Sequence, residues 1–291
     1  MDAERFDDIT VNDVLRHFLR REVRAFAVHE ALVRRDFDVE AVHQLRVSAR
    51  RLRSEIQAMR SVLPAEPWDA LARDLKRVGA ALGPLRDLDV LAEIFAQHLD
   101  AGTQLDAALR LALGRQRVRR ERVALAMLDA PLYAKVVRRV GALSETPGLG
   151  RRGDASARDL FAATLWEAAC AYLDAVREPA ARRSDEELHR VRIASKKCRY
   201  SFEVATVFLG DQAHRVAQPL AEIQGILGDV HDRAVAVSFL DTLRLPEELD
   251  LELRRTLRNE IAELRPRWAR HYDEARQAML ALFESPPSRG V

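Results

Sequence analysis

The chain has 291 residues, of which 48% are apolar, 32% charged and only 6% aromatic, with 12 Gly and 11 Pro; so many charges with so few turn-formers argue against a sheet-rich protein and for an all-α one. Its 47 basic side chains nearly balance 45 acidic ones, so recruitment of an anion depends on how charges are segregated, not on the net +2. No stretch approaches the roughly 18 uncharged apolar residues of a membrane span, and Met1-Asp2-Ala3-Glu4-Arg5 lacks the basic-then-apolar layout of a secretory leader, so a cytoplasmic protein without membrane association is expected.

Helical periodicity runs nearly end to end. Thr10 with Asp13 predicts the start of a first helix ending near Arg34. Asp38 is placed to cap a second, which must end before Pro64. A third follows Pro67 and is expected to break at Gly83-Pro84, with a fourth from about Leu85 to Leu99. An Arg-rich helix over 103–129 and a short one after Pro131 complete the first half. Residues 145–153, with Pro147, Gly148, Gly150 and Gly153, carry no apolar period and read as a linker.

Beyond the linker a helix is expected over 156–177. Ser184 with Glu187 forms a capping box for a helix running to about Leu209. Helices over 212–227 and 231–244 are separated by an expected break at Gly228, and a last long helix follows Pro246 with a kink near Pro266. Cys170 and Cys198 lie in apolar helical patterns without ligand spacing and read as small buried hydrophobes, free of a disulfide. The expected organisation is one domain over 8–284, with a first half 8–144, a linker 145–153, a second half 154–284 and a flexible tail 285–291.

Two of these helices say nearly the same thing. Val42-His43-Gln44-Leu45-Arg46-Val47-Ser48-Ala49-Arg50-Arg51-Leu52-Arg53 returns, 146 residues on, as Leu188-His189-Arg190-Val191-Arg192-Ile193-Ala194-Ser195-Lys196-Lys197-Cys198-Arg199. The shared pattern is an apolar residue followed by H-x-x-R-x-x-x-[RK]-[RK]-x-R. At about 100° per residue, His43, Arg46, Arg50 and Arg53 span an arc of roughly 80°, with Leu45, Leu52, Ile56 and Met59 opposite. Residues 42–60 hold five Arg against the single acid Glu55, and 188–204 hold five basic residues against Glu203. A second pair matches at offset 145: Leu82-Gly83-Pro84-Leu85-Arg86-Asp87-Leu88-Asp89-Val90 and Leu227-Gly228-Asp229-Val230-His231-Asp232-Arg233-Ala234-Val235. Two pairs at nearly one offset predict an internal duplication: two four-helix-bundle-like halves related by a pseudo-twofold.

With these segments laid out, the chain resembles the CHAD domain, a helical family named for its histidines. The resemblance rests on the segments at 42–53, 82–90 and 188–200, on the weaker echo at 227–232, and on Trp268; it covers about residues 8–284. It implies two helical bundles with a basic groove or channel, and a ligand, inorganic polyphosphate. It places anion-binding residues on His43, Arg46, Arg50, Arg51 and Arg53 in the first half and on His189, Arg192, Lys196, Lys197 and Arg199 in the second. The second turn segment departs from the first by His231 in place of Arg86.

The chemistry agrees with that ligand. Polyphosphate has no bases to read and carries about one negative charge per internal phosphate. A row of cations suffices, and the low aromatic content disfavours a single-strand nucleic-acid platform. Charge-assisted hydrogen bonds contribute roughly 1.5–3 kcal/mol each, and Arg presents a planar fork suited to phosphate oxygens. The plainer alternative is a solvated helix face neutralised by acids of neighbouring helices. A lone His on a helix is more often structural than a ligand, so His43 and His189 stay open between those roles. Candidates of a second rank are Arg16, Arg20 and Arg24 on the first helix, Lys76, Arg77 and Arg86 near the first glycine segment, and His231. Arg115, Arg117, Arg119, Arg120 and Arg122 read as solvated surface.

Three functions remain in view. The first is non-catalytic polyphosphate binding, with targeting or scaffolding at polyphosphate granules. The second is a metal-dependent phosphohydrolase, prompted by His231-Asp232, His43, His189, Asp87 and Asp89; arginines on the same faces would repel a divalent ion. The third is a nucleic-acid binder or protein scaffold. No cofactor is expected, and the sequence is silent on protein partners.

Overall fold

Thr10 accepts a hydrogen bond from the Asp13 backbone N–H while the Asp13 carboxylate accepts one from Thr10 N–H, and this capping box opens α1 (Val11–Asp36). The structure, a computed structural model, describes residues 9–176, 185–243 and 247–284. Phe37 in the left-handed region closes α1, and Asp38 then caps α2 (Val39–Ala58) by accepting from Ala41 N–H at 2.7 Å. There follow α3 (Ala65–His98), α4 (Gln104–Asp129), α5 (Pro131–Glu145), a 3-10 turn at Gly150–Asp154, α6 (Ala157–Ala175), α7 (Asp185–Leu209), α8 (Asp211–Leu240), α9 (Glu247–Leu264) and α10 (Trp268–Glu284). The described residues contain no strand; one isolated bridge, Thr10 to Ser156, ties the start of α1 to the start of α6. The fold is all-α.

Two expected breaks are absent. α3 runs without interruption through Gly83 and Pro84, and α8 through Gly228. An interior Pro costs about 3 kcal/mol and an interior Gly about 1 kcal/mol relative to Ala, but burial of Leu82, Leu85 and Leu88 on α3, and of Ile223 and Leu227 on α8, offsets them. Pro266, expected to kink one helix, instead separates α9 from α10. The Ser184 cap and the tail from Ser285 lie outside the described residues.

The two motif helices hold the centre. α2 packs against α1 and α3, α7 against α6 and α8, and α2 and α7 lie against each other, as do α3 and α8. Leu45, Leu52, Ile56 and Met59 are buried, which is the apolar face expected of α2. One large core draws on both halves, from Val14 and Phe18 through Trp68 to Phe202, Phe208 and Trp268. A smaller one joins the far ends of α3 and α8 to α4 and α9, through Leu88, Phe95, Leu109, Phe239 and Leu257. Leu85 belongs to the first core and Leu88 to the second; on α8 the change falls between Leu227 and Ala236. The matched glycine segments therefore mark a polar gap between two cores, not turns. Cys170 and Cys198 are both free; Cys198 is buried and Cys170 half-buried.

Candidate anion-binding groove

A groove of about 580 Å³ opens over that gap. From α2 it receives His43, Arg46 and Arg50, and from α7 Arg192, Lys196 and Arg199; α3 adds Arg86 and Asp87, and α8 adds Gln224, Asp229, His231 and Asp232. The cationic faces of the two motif helices thus meet in one place. Gly225 and Gly228 line the groove without side chains, and Arg46 Nε lies 3.6 Å from where a Cβ on Gly83 would stand, an ordinary contact.

Six cations and three carboxylates line the groove, so the acids do not cancel the bases. Asp87 lies 3.7 Å from Arg46, and Arg199 reaches Glu203 at 3.2 Å while its guanidinium lies over the Tyr200 ring. Arg50, Arg192 and Lys196 have no carboxylate within 4.0 Å among the described residues, and Arg50 Nε, Arg192 Nε and Gln224 Nε2 are buried without an acceptor there. The setting acts on Lys196 most. Burial, then the charges of Arg192, Arg50, Arg46 and Arg199, pushes its amine down to about 8. Burial likewise lowers Arg46 and Arg192 and raises Asp229 and Asp232.

His43 is tied to its neighbour by geometry. Arg86 Nε donates to His43 Nδ1 at 3.0 Å. Arginine can only donate, so Nδ1 is the bare nitrogen and the ring is neutral with its proton on Nε2. Burial first, and Arg86 second, hold the imidazole below its ordinary value. His231 is also lowered, by burial and then by Arg192.

Other candidates lie elsewhere. Arg51 turns to the buried Glu22, 3.9 Å away, beside Glu55 and Arg21, so a neighbouring helix neutralises it as the plainer alternative supposed. Arg53 does not line the groove, and His189 and Lys197 are exposed outside it: Lys197 stands about 100° further around α7 than Lys196, whereas His189 shares the Arg192 face but lies about a turn before it. Arg16, Arg20 and Arg24 line a separate open concavity on α1 with Asp13, His17 and Arg21. Although that hollow is about 600 Å³, Arg16, Arg20 and Arg21 within it are paired with Asp13, Glu145, Glu22 and Glu55, which makes it the weaker anion site. Lys76 and Arg77 are exposed on α3 outside the groove; Arg117 pairs with Asp89 and Glu121. Sequence reasoning missed Gln224, Ala221 and Gly225. Counting back from His231 and Gly228 at helical spacing would have reached Gln224, but only once α8 was known to be continuous.

The CHAD domain family profile matches residues 17–241. The chain is 27% identical to the CHAD domain from the plant Ricinus communis, whose crystal structure superposes with a TM-score of 0.72 over 94% of this chain and 93% of that one. The structure of PptA from Streptomyces chartreusis, at 21% identity, shares the fold, with a TM-score of 0.64 over 93% of this chain and 99% of that one. Uncharacterized proteins from two strains of Mycobacterium tuberculosis are 26% identical over 238 residues, 77% of this chain but 44% of theirs. The chain therefore spans less than half the length of these curated relatives. No helix among the described residues is long and apolar enough to cross a membrane.

Proposed function

Because the chain belongs to the CHAD domain family, we propose that it binds inorganic polyphosphate, without catalysing its turnover, in the groove between α2 and α7. One observation carries this reading: Arg50, Arg192 and Lys196 converge from two helices with no carboxylate of their own. Holding like charges together costs the fold stability, and a polyanion threaded along the groove relieves that cost. Arg46 and Arg199 exchange part of their acid contacts for phosphate oxygens, and Gln224 supplies a neutral donor. Arg86, oriented by His43, adds a fork at one end. The two halves are read as copies of one unit, in support of which the motif helix is second of five in each. At polyphosphate granules such a module would act as a targeting or scaffolding element.

Calorimetric titration with polyphosphates of defined length, at two salt concentrations, tests this. Affinity is expected to fall steeply with salt as counterions are no longer released to advantage, by analogy with nucleic acids. Absence of saturable binding at both salt concentrations, or displacement by DNA or RNA as effective as by polyphosphate, overturns it. The phosphohydrolase reading has the groove carboxylates in its favour, yet six cations around them oppose a divalent ion. Phosphate release with magnesium or manganese would establish catalysis instead.

A further inference from the structure

The chain has four lysines, and they sit in three different settings. Lys76 and Lys197 are exposed, and Lys135 is paired with Asp74 at 3.1 Å. Lys196 alone lines the groove. It lies one helical turn after Arg192 and nearly one before Arg199, while Arg46 and Arg50 reach the same groove from α2. No carboxylate lies within 4.0 Å of it among the described residues, so no acid anchors its ammonium form. We propose that Lys196 is a site of Nε-acylation by acyl phosphates, guided by the arginines around it, and that acylation weakens the groove's hold on polyphosphate. The inference rests on the groove being a phosphate-anion site.

The chemistry follows from what the groove presents. An acyl phosphate carries a phosphate dianion one oxygen away from an electrophilic carbonyl carbon. Arg50 and Arg192 can hold the phosphate, which sets the carbonyl beside the amine they surround. The neutral Nζ attacks the carbonyl carbon and a C–N bond forms. The C–O bond to phosphate breaks, the bonding pair leaves on phosphate, and the amine proton passes to that leaving group. Nothing is oxidised or reduced. The leaving phosphate is stabilised by the cations that bound it. The product amide is uncharged, so the groove loses one cation.

Reactivity needs the free amine, and Lys196 has more of it than an ordinary lysine because burial, and then the arginines around it, push it down to about 8. Near neutral pH that raises the free-amine fraction about two-hundred-fold, and the accompanying loss of nucleophilicity, by analogy with thiols, returns roughly tenfold of it. A net advantage of at least about tenfold over an ordinary lysine is therefore expected.

The test uses the unmodified protein with acetyl phosphate, and site-resolved mass spectrometry to follow each lysine. Lys196 is expected to acetylate at least about tenfold faster than the more exposed Lys197. The ratio should be smaller with a neutral acetylating ester, which the arginines cannot steer, and long-chain polyphosphate should protect Lys196 but not Lys197. Equal rates at the two lysines, or the same ratio with both reagents, overturns the proposal. A parallel titration with polyphosphate separates the two ideas. If polyphosphate binds and Lys196 shows no preference, acylation falls alone. If polyphosphate fails to bind while acetyl phosphate still selects Lys196, the identity of the ligand falls and the modification site stands.

Discussion

Replacing Lys196 with Met should make the ligand-free protein more stable and a worse binder. The folded protein holds this amine at about 8 against an ordinary 10.5, chiefly through burial and then through four arginines. That displacement corresponds to on the order of 1–3 kcal/mol against the charged form, once partial solvent exposure is allowed for. For a chain of this size the gain should raise Tm by about 2–5 °C near neutral pH. The sign with pH is fixed by linkage. Because the folded-state value lies below the unfolded one, the unfolded chain binds more protons between them, and wild-type stability climbs as pH rises from about 8 to 10.5. The variant's advantage is thus full below about 8 and shrinks toward 10.5. Comparing the two proteins by calorimetric melting at about pH 7 and about pH 9.5 cancels any change in packing, since packing does not titrate. Polyphosphate affinity should meanwhile drop about ten- to a hundredfold, with the salt slope shallower by about one cation. A lower Tm near neutrality, or an advantage of the same size at both pH values, refutes the reasoning.

Further substitutions separate the groove from its surroundings. Arg50→Gln and Arg192→Gln should each weaken polyphosphate binding about ten- to a hundredfold; Arg50→Gln should leave Tm unchanged or higher, whereas Arg192→Gln also removes a charge that favours ionised Asp232, and a loss of less than threefold in calorimetry counts against the groove. Arg51→Gln should change binding less than about threefold and lower Tm by leaving the buried Glu22 short of a cation. His43→Ala is expected to cost less affinity than Arg46→Ala, since the imidazole only orients Arg86; an equal or larger loss would make His43 a direct ligand. Glu55 is pushed up to about 7, chiefly by burial, so Glu55→Gln should flatten a decline in wild-type stability as pH rises from about 4.5 to about 7.

Residues 42–53 show which features a linear pattern can carry. The apolar face of α2 follows from spacing of 3 and 4 and the Asp38 cap from residue type, and both appear as read, while of the cationic stripe His43, Arg46 and Arg50 reach the groove and Arg53 does not. Local chemistry acts within one helix, and sequence displays it. Arg51 and Lys197 show the limit. Each stands beside a groove residue and carries the same charge, yet one faces a buried glutamate of α1 and the other faces solvent.

The glycine segments teach the converse. Gly83-Pro84 and Gly228 have every local mark of a break, and propensity argues for one at up to about 3 kcal/mol. The helices continue because residues on both sides are buried in two different cores, a gain no window of sequence contains.

The all-helical class, most helix starts and the two basic faces are legible residue by residue, because they depend on backbone propensity and periodicity within one segment. That those faces share one groove, that the glycine segments line it, and which cations lack a carboxylate partner emerge from the packing of the helices. Those outcomes depend on which helices become neighbours, and burial over residues more than a hundred positions apart settles that.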